Sequence, residues 1–200
     1  MIKQEHIDRA MSYGQYVKLL NDLMEQGRTT GDNQSENYLN YAKLNLQRMS
    51  RLEKTAELTD ELKAALAKIT KPSIWVVITE GWCGDAAQNL PVLHAMEKQC
   101  PAIELKLLLR DENLDVMDQY LTNGSRSIPK VIAVRKDEAT GSYKELFVWG
   151  PRPDAAQQIM IDYKSRNLPH DELALAIQKW YNADHTLSTQ GEMLALLERL

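Results

Sequence analysis

The sequence predicts an α/β fold of three layers, a mixed central sheet with helices on both faces, carrying an N-terminal helical extension and C-terminal helices. Three observations carry that expectation. The first seventy residues show helical periodicity and no strand signal. From residue 73 onward, β-branched runs and helical stretches follow in the order strand, helix, strand, helix, strand, strand, helix. The strand–helix–strand opening implies a right-handed parallel crossover, and the later strand pair adds an antiparallel edge. The expected division is a helical extension over 1–70 packed on the core, an α/β unit over 71–168, and helices of the same domain over 169–200.

Over residues 5–25 the apolar positions Ile7, Met11, Tyr13, Tyr16, Leu19, Leu20, Leu23 and Met24 recur at steps that fit one helix. The polar stretch 26–33 breaks it. Ser35 can cap a long helix running through Tyr38, Tyr41, Leu44, Leu46, Met49 and Leu52. Thr59 opens a third helix, which ends near Ile69 and is stopped by Pro72. Residues 74–79, Ile-Trp-Val-Val-Ile-Thr, read as a strand buried on both faces. Residues 83–99 have helical spacing until Pro101 stops it, 103–109 read as a second strand, and 114–121 as a short helix ended by Asn123-Gly124. Residues 131–134 and 145–149 are strands around a turn at 137–141. Pro153-Asp154 opens a helix closing near Asn167, and 172–181 and 192–200 complete the chain as helices.

Composition narrows the function. With 44% hydrophobic and 26% charged residues, the chain is an ordinary globular one. Its net charge of −4 comes without any basic block, so it lacks the footprint that displaces counterions from nucleic acid. The longest apolar run, 74–78, is far short of the roughly 20 residues a membrane span needs. The N-terminus lacks a signal-peptide core, and Cys83 and Cys100 cannot make a disulfide framework. The expectation is a cytoplasmic protein with reduced thiols. His6, His94, His170 and His185 are scattered, so no metal site is expected, and without a glycine-rich phosphate loop no cofactor is expected either.

The chemistry concentrates at residues 80–86, Glu-Gly-Trp-Cys-Gly-Asp-Ala. Cys83 follows a buried strand and stands where a helix begins. The helix dipole there predicts a pKa lowered from about 8.5 into the range of roughly 3.5 to 7.5. Gly84 leaves the sulfur uncrowded, and Trp82 can shield one side of it. The alternative for Cys83 is a small buried hydrophobe. Glu80 and Asp85 are the nearest carboxyl groups for proton transfer, although an acid in a first helical turn is favoured by the dipole whatever the chemistry. His94 lies roughly 16 Å down the helix and cannot serve as a base.

The run Trp82-Cys83-Gly84-Asp85-Ala86 resembles the active-site turn of the thioredoxin superfamily, whose usual form is Trp-Cys-x-x-Cys. Pro91 stands where that family carries a helix-kinking proline. Ser127-Ile128-Pro129 resembles the segment bearing its cis-proline, which implies a cis Ile128–Pro129 bond facing Cys83. The helical first half, through residues 30–36 and 44–49, resembles a bacterial subgroup with such an extension. Two departures matter. Ala86 replaces the second, resolving cysteine, and Val77 replaces a buried acid. Cys100 lies about 25 Å along the same helix, too far for a disulfide, which needs Cα atoms within about 7 Å.

The resemblance implies a redox protein with one working thiol. Cys83, Trp82, Gly84, Asp85 and Pro129 would be catalytic, and Ile128, Ser127, Arg126, Tyr41, Asn45 and Arg48 would bind the substrate. Arg48, Arg51 and Lys54 follow at three-residue steps. They are either a solvated face or, if the extension folds across the active-site edge, the source of a cation near Cys83. Arg126 is a second candidate cation. The partner would be a disulfide-containing protein or a low-molecular-weight thiol. The competing function is a non-catalytic protein of the same fold that holds a peptide or thiol ligand beside Pro129.

Overall fold

The computed structural model describes residues 1–200, the side chain of His170 excepted. The chain runs α1 (Gln4–Arg9), α2 (Tyr13–Glu25), α3 (Glu36–Thr55), α4 (Asp60–Leu66), β1 (Ser73–Thr79), α5 (Gly84–Gln99), β2 (Ile103–Leu109), α6 (Leu114–Met117), β3 (Lys130–Lys136), β4 (Tyr143–Trp149), α7 (Asp154–Ser165), α8 (His170–Asp184) and α9 (Leu187–Leu197). The apolar run of β1 takes the interior of the sheet, whose order is β2-β1-β3-β4. There Trp75, Val76, Val77 and Ile78 lose contact with solvent altogether. β1 is parallel to β2 and antiparallel to β3, and β3 is antiparallel to β4. Helices cover both faces, so the mixed three-layer architecture read from the sequence is the one observed.

The single helix expected over 5–25 is two. Ser12 breaks it, because its Oγ accepts from Gln15 N while Gln15 Oε1 accepts from Ser12 N, a reciprocal cap that starts α2 afresh. In the gap, Met11 exchanges backbone hydrogen bonds with Leu107 (2.9 and 2.8 Å) and covers part of the open edge of β2. Helical periodicity hides the break, since Ile7, Met11 and Tyr16 are all apolar in either arrangement. The helix expected over 114–121 stops at Met117, and the chain turns through Asn123 and Gly124, both at positive φ. β3 and β4 extend beyond the predicted runs and contain a bulge at Ala133/Val134. The last two helices begin earlier than periodicity suggests, and His185 and Thr186, both left-handed, separate them.

The extension enters the same core as the sheet. Tyr13, Tyr16 and Leu20 of α2, Met49 of α3, and Leu62 and Leu66 of α4 join one buried cluster with β1 and α5. Tyr16, almost fully buried, directs its hydroxyl to Thr79 Oγ1 at the end of β1 (3.5 Å). The route from β4 into α7 is set by Gly150. Its φ is +103°, and a Cβ there would lie 2.3 Å from the carbonyl oxygen of Pro129. The Ile128–Pro129 and Gly150–Pro151 peptide bonds are both cis.

A Gly150→Ala variant should therefore lose about 2–3 kcal/mol in chemical denaturation, from backbone strain together with a clash that no side-chain rotation relieves. Gly124→Ala, at φ +75° with nothing near its missing Cβ, isolates the strain alone and should lose less.

Candidate active site

Cys83 is the N-cap of α5, where its Sγ accepts from Ala86 N (3.4 Å). The thiol donates to the carbonyl of Ile128 (3.3 Å), the residue before the cis-proline. That second contact requires the proton, so the geometry stabilises a thiol. The predicted lowering of the Cys83 pKa is reversed: burial, first, and the charge of Asp85, second, push it up to about 12. The amide of Ala86 and the charge of Arg152 pull the other way and lose.

Asp85 is taken up by an ion pair. Its Oδ2 accepts from Arg152 Nη2 (2.6 Å) and its Oδ1 from Tyr181 OH (2.8 Å), with both partners of the ion pair largely out of water. Asn89 supports the arrangement by donating to Tyr181 OH (3.0 Å) and accepting from Thr189 Oγ1 (2.6 Å). Glu80 has the other character. Fully buried, it accepts from Asp111 N at Oε1 (3.0 Å), while its Oε2 has no partner among the described residues. Burial raises its pKa above the usual carboxylate range. Of the two carboxyl groups singled out for proton transfer, Glu80 is the one held towards its neutral form. Its backbone carbonyl accepts from Cys83 N (3.1 Å).

The extension holds the turn before Cys83 directly. Gly81 donates its N–H to Thr30 Oγ1 (2.9 Å) and accepts from Asn45 Nδ2 at its carbonyl (3.0 Å). Asn45 Oδ1 in turn accepts from Arg48 Nη1 (3.0 Å). Asn45, expected in the groove among the substrate-binding residues, is instead buried at the turn and does not line the cavity. Tyr41 and Arg48 do line it. Trp82 is clamped between Tyr38 (ring centroids 5.1 Å apart) and the Arg110 guanidinium (4.8 Å from the ring centroid).

These groups surround a cavity of about 620 Å³ with Cys83, itself 8% exposed, in its wall. Gly84, Asp85, Arg126, Ser127 and Ile128 also contribute to the wall, while Pro129 is buried behind it. Arg126 is committed to Asp118, bonding it at both oxygens (2.6 and 2.9 Å). α8 forms the opposite wall through Leu173, Ile177 and Tyr181. Arg152 and Tyr181 escaped sequence reading. Arg152 had a local signal, a cation fixed between Pro151 and Pro153; Tyr181 had none, since its partner Asp85 is ninety-six residues away. Among the described residues no helix is long and apolar enough to cross a membrane.

Replacing Asp85 with Asn removes the charge that raises the thiol and releases Arg152 beside it. Both effects act downward, so Cys83 in Asp85→Asn should alkylate faster at pH 7, about threefold for each unit by which its pKa falls, because the gain in thiolate outweighs its loss of nucleophilicity. Iodoacetamide kinetics in a Cys100→Ala background measure this, with Arg152→Gln expected to slow the reaction.

Comparison with known proteins agrees with the fold. A solved protein of unknown function from Pseudomonas aeruginosa is 21% identical, with 99% of this chain and 98% of that one covered at a TM-score of 0.63. An HIV epitope scaffold is 20% identical over 100% and 99% of the two chains, also at 0.63. No curated protein matches. A family profile described as thioredoxin matches residues 31–164, beginning inside the helical extension and taking in the turn at Cys83 and the loop at Pro129. On that match, the chain belongs to the thioredoxin family.

Proposed function

We propose that the protein is a monothiol redox protein in which Cys83 exchanges with a low-molecular-weight disulfide admitted to the cavity. The observation that carries this reading is the position of Sγ, in the cavity wall and against the Ile128 carbonyl, with Ala86 where a resolving sulfur would stand. In the first step the Cys83 thiolate attacks one sulfur of the disulfide, forming a mixed disulfide and expelling the other half as a thiolate, which takes up a proton. Ala86 offers no sulfur, and Cys100 is buried at the far end of α5. An external thiol must therefore attack the mixed disulfide, releasing Cys83 and carrying away the bound half as a new disulfide.

The walls formed by α3 and α8 favour a small substrate over a protein disulfide. Two free, buried cysteines suit a reducing cytoplasm, and the resemblance of the extension points to a bacterial source. The raised Cys83 thiol favours a second reading, in which the same cavity binds a thiol or peptide ligand without turnover.

The two readings separate on one experiment. The Cys100→Ala protein is incubated with bis(2-hydroxyethyl) disulfide at pH 7 to 9 and followed by intact mass. Exchange predicts a mixed disulfide at Cys83, formed about tenfold faster per pH unit, because the thiolate fraction grows tenfold per unit below the pKa. Absence of any adduct at pH 9, with the urea-unfolded protein reacting, would leave the binding reading in place. Ala86→Cys should add an internal disulfide with Cys83 and raise turnover on the same small disulfide.

A further inference from the structure

The wall of the cavity beside Cys83 gathers arginines in a protein whose net charge is −4. Four arginines face it, Arg48, Arg110, Arg126 and Arg152, against the carboxylates Asp85 and Asp171. Three of the four are matched by an acid: Arg152 by Asp85, Arg126 by Asp118 and Arg110 by Asp111. Arg48 differs. Its hydrogen bond goes to a neutral amide oxygen, Asn45 Oδ1, and among the described residues no carboxylate lies within ion-pair distance of it. Burial and the neighbouring Arg51 hold it below the usual arginine range, and the more distant charge of Asp85, already matched by Arg152, offsets them only in part. It stands over the active-site turn, since a Cβ on Gly84 would lie 3.6 Å from Arg48 Nη1.

We infer that Arg48 is the anchor for a carboxylate a few bonds away from the reacting sulfur of the substrate. The preferred ligand is thus a short acid bearing a thiol or disulfide. The inference rests on the exchange reading of Cys83 and gives that reading a substrate class. A guanidinium presents two parallel N–H donors that match a carboxylate, and in a half-buried site such a pair is stronger than in water. Held by Asn45, which is itself fixed to Gly81, Arg48 has little freedom left to lose on binding. The Tyr38–Trp82 pair supplies an apolar flank for the methylene and sulfur atoms between the acid and Cys83. Attack on the neutral and on the acidic disulfide is the same exchange; only the docking of the leaving and retained halves differs.

Three disulfides of equal chain length test this: 3,3′-dithiodipropionate with two negative charges, bis(2-hydroxyethyl) disulfide with none, and cystamine with two positive charges. Reacted with the Cys100→Ala protein at one pH, the dianion should modify Cys83 about tenfold faster than the neutral compound, the equivalent of one good charged contact, and cystamine slowest. The preference should fall towards one in Arg48→Gln and at 0.5 M salt, and persist in Arg51→Gln, which removes the same charge one turn away. A dianion-to-neutral ratio of one or less in the starting protein overturns the inference and leaves exchange standing. If none of the three reacts, exchange itself fails. Titration calorimetry with suberate, the all-carbon counterpart of the dianion, and 1,8-octanediol then decides whether the cavity takes acids. Suberate binding that Arg48→Gln abolishes upholds the anchor, and equal or absent binding of the two removes it.

Discussion

Asp85 carries its charge where water scarcely reaches, and the chain around Cys83 is arranged to meet that charge. Arg152 comes from the loop after β4, Tyr181 from α8, and both converge on the first turn of α5. A buried carboxylate without its partners would be strongly destabilising, so the three segments are obliged to meet. Their meeting is what encloses the thiol. Asn89 and Thr189 extend the same network to α9, which is thereby fastened to α5. The cavity, its closed wall and the state of the thiol all depend on this one acid.

Why burial defeats the helix dipole at Cys83 is a matter of size. A helix terminus contributes about 0.3–1 kcal/mol, at most about 2, which is some 1.5 pKa units. Withdrawing a thiolate from water acts over as much as 3–5 units in the other direction. Asp85 adds to burial, and Arg152, already matched to Asp85, offsets only part of it. The resting state is a thiol hydrogen-bonded to Ile128. An anion arriving at Arg48 would cancel positive charge there, so it docks the substrate without activating the sulfur. Activation falls to the alkaline side or to a base brought by the substrate.

The inner strands of the sheet were legible because they are buried on both faces and rich in β-branched residues, as in 74–79. The turn was legible because its chemistry is local, with Trp82, Cys83 and Gly84 following one another. The helical break at Ser12 was not, since the periodicity of α1 and α2 continues across it and only the Ser12–Gln15 exchange of bonds marks the stop. The pKa of Cys83 was misjudged for a related reason. A sequence shows that a helix starts there, but not that α8 will lie across the site. Arg48 stood in a row of cations that fits a solvated face equally well; its part became visible only when Asn45 was seen tied to Gly81.

The two bonds from Thr30 and Asn45 to Gly81, and the bridge from Met11 to Leu107, join the first helices to strands that come much later in the chain. During synthesis α2 leaves the ribosome with Tyr13, Tyr16 and Leu20 facing water, since the surface they cover is not yet made. Completion of the N-terminal helices must wait until β2 has emerged, nearly a hundred residues after Met11. Such long-range closure slows folding and leaves apolar surface open in the interval. The nascent chain is therefore most exposed to misassociation through α1 and α2, and a chaperone acting on them would find its binding site there before the thiol exists.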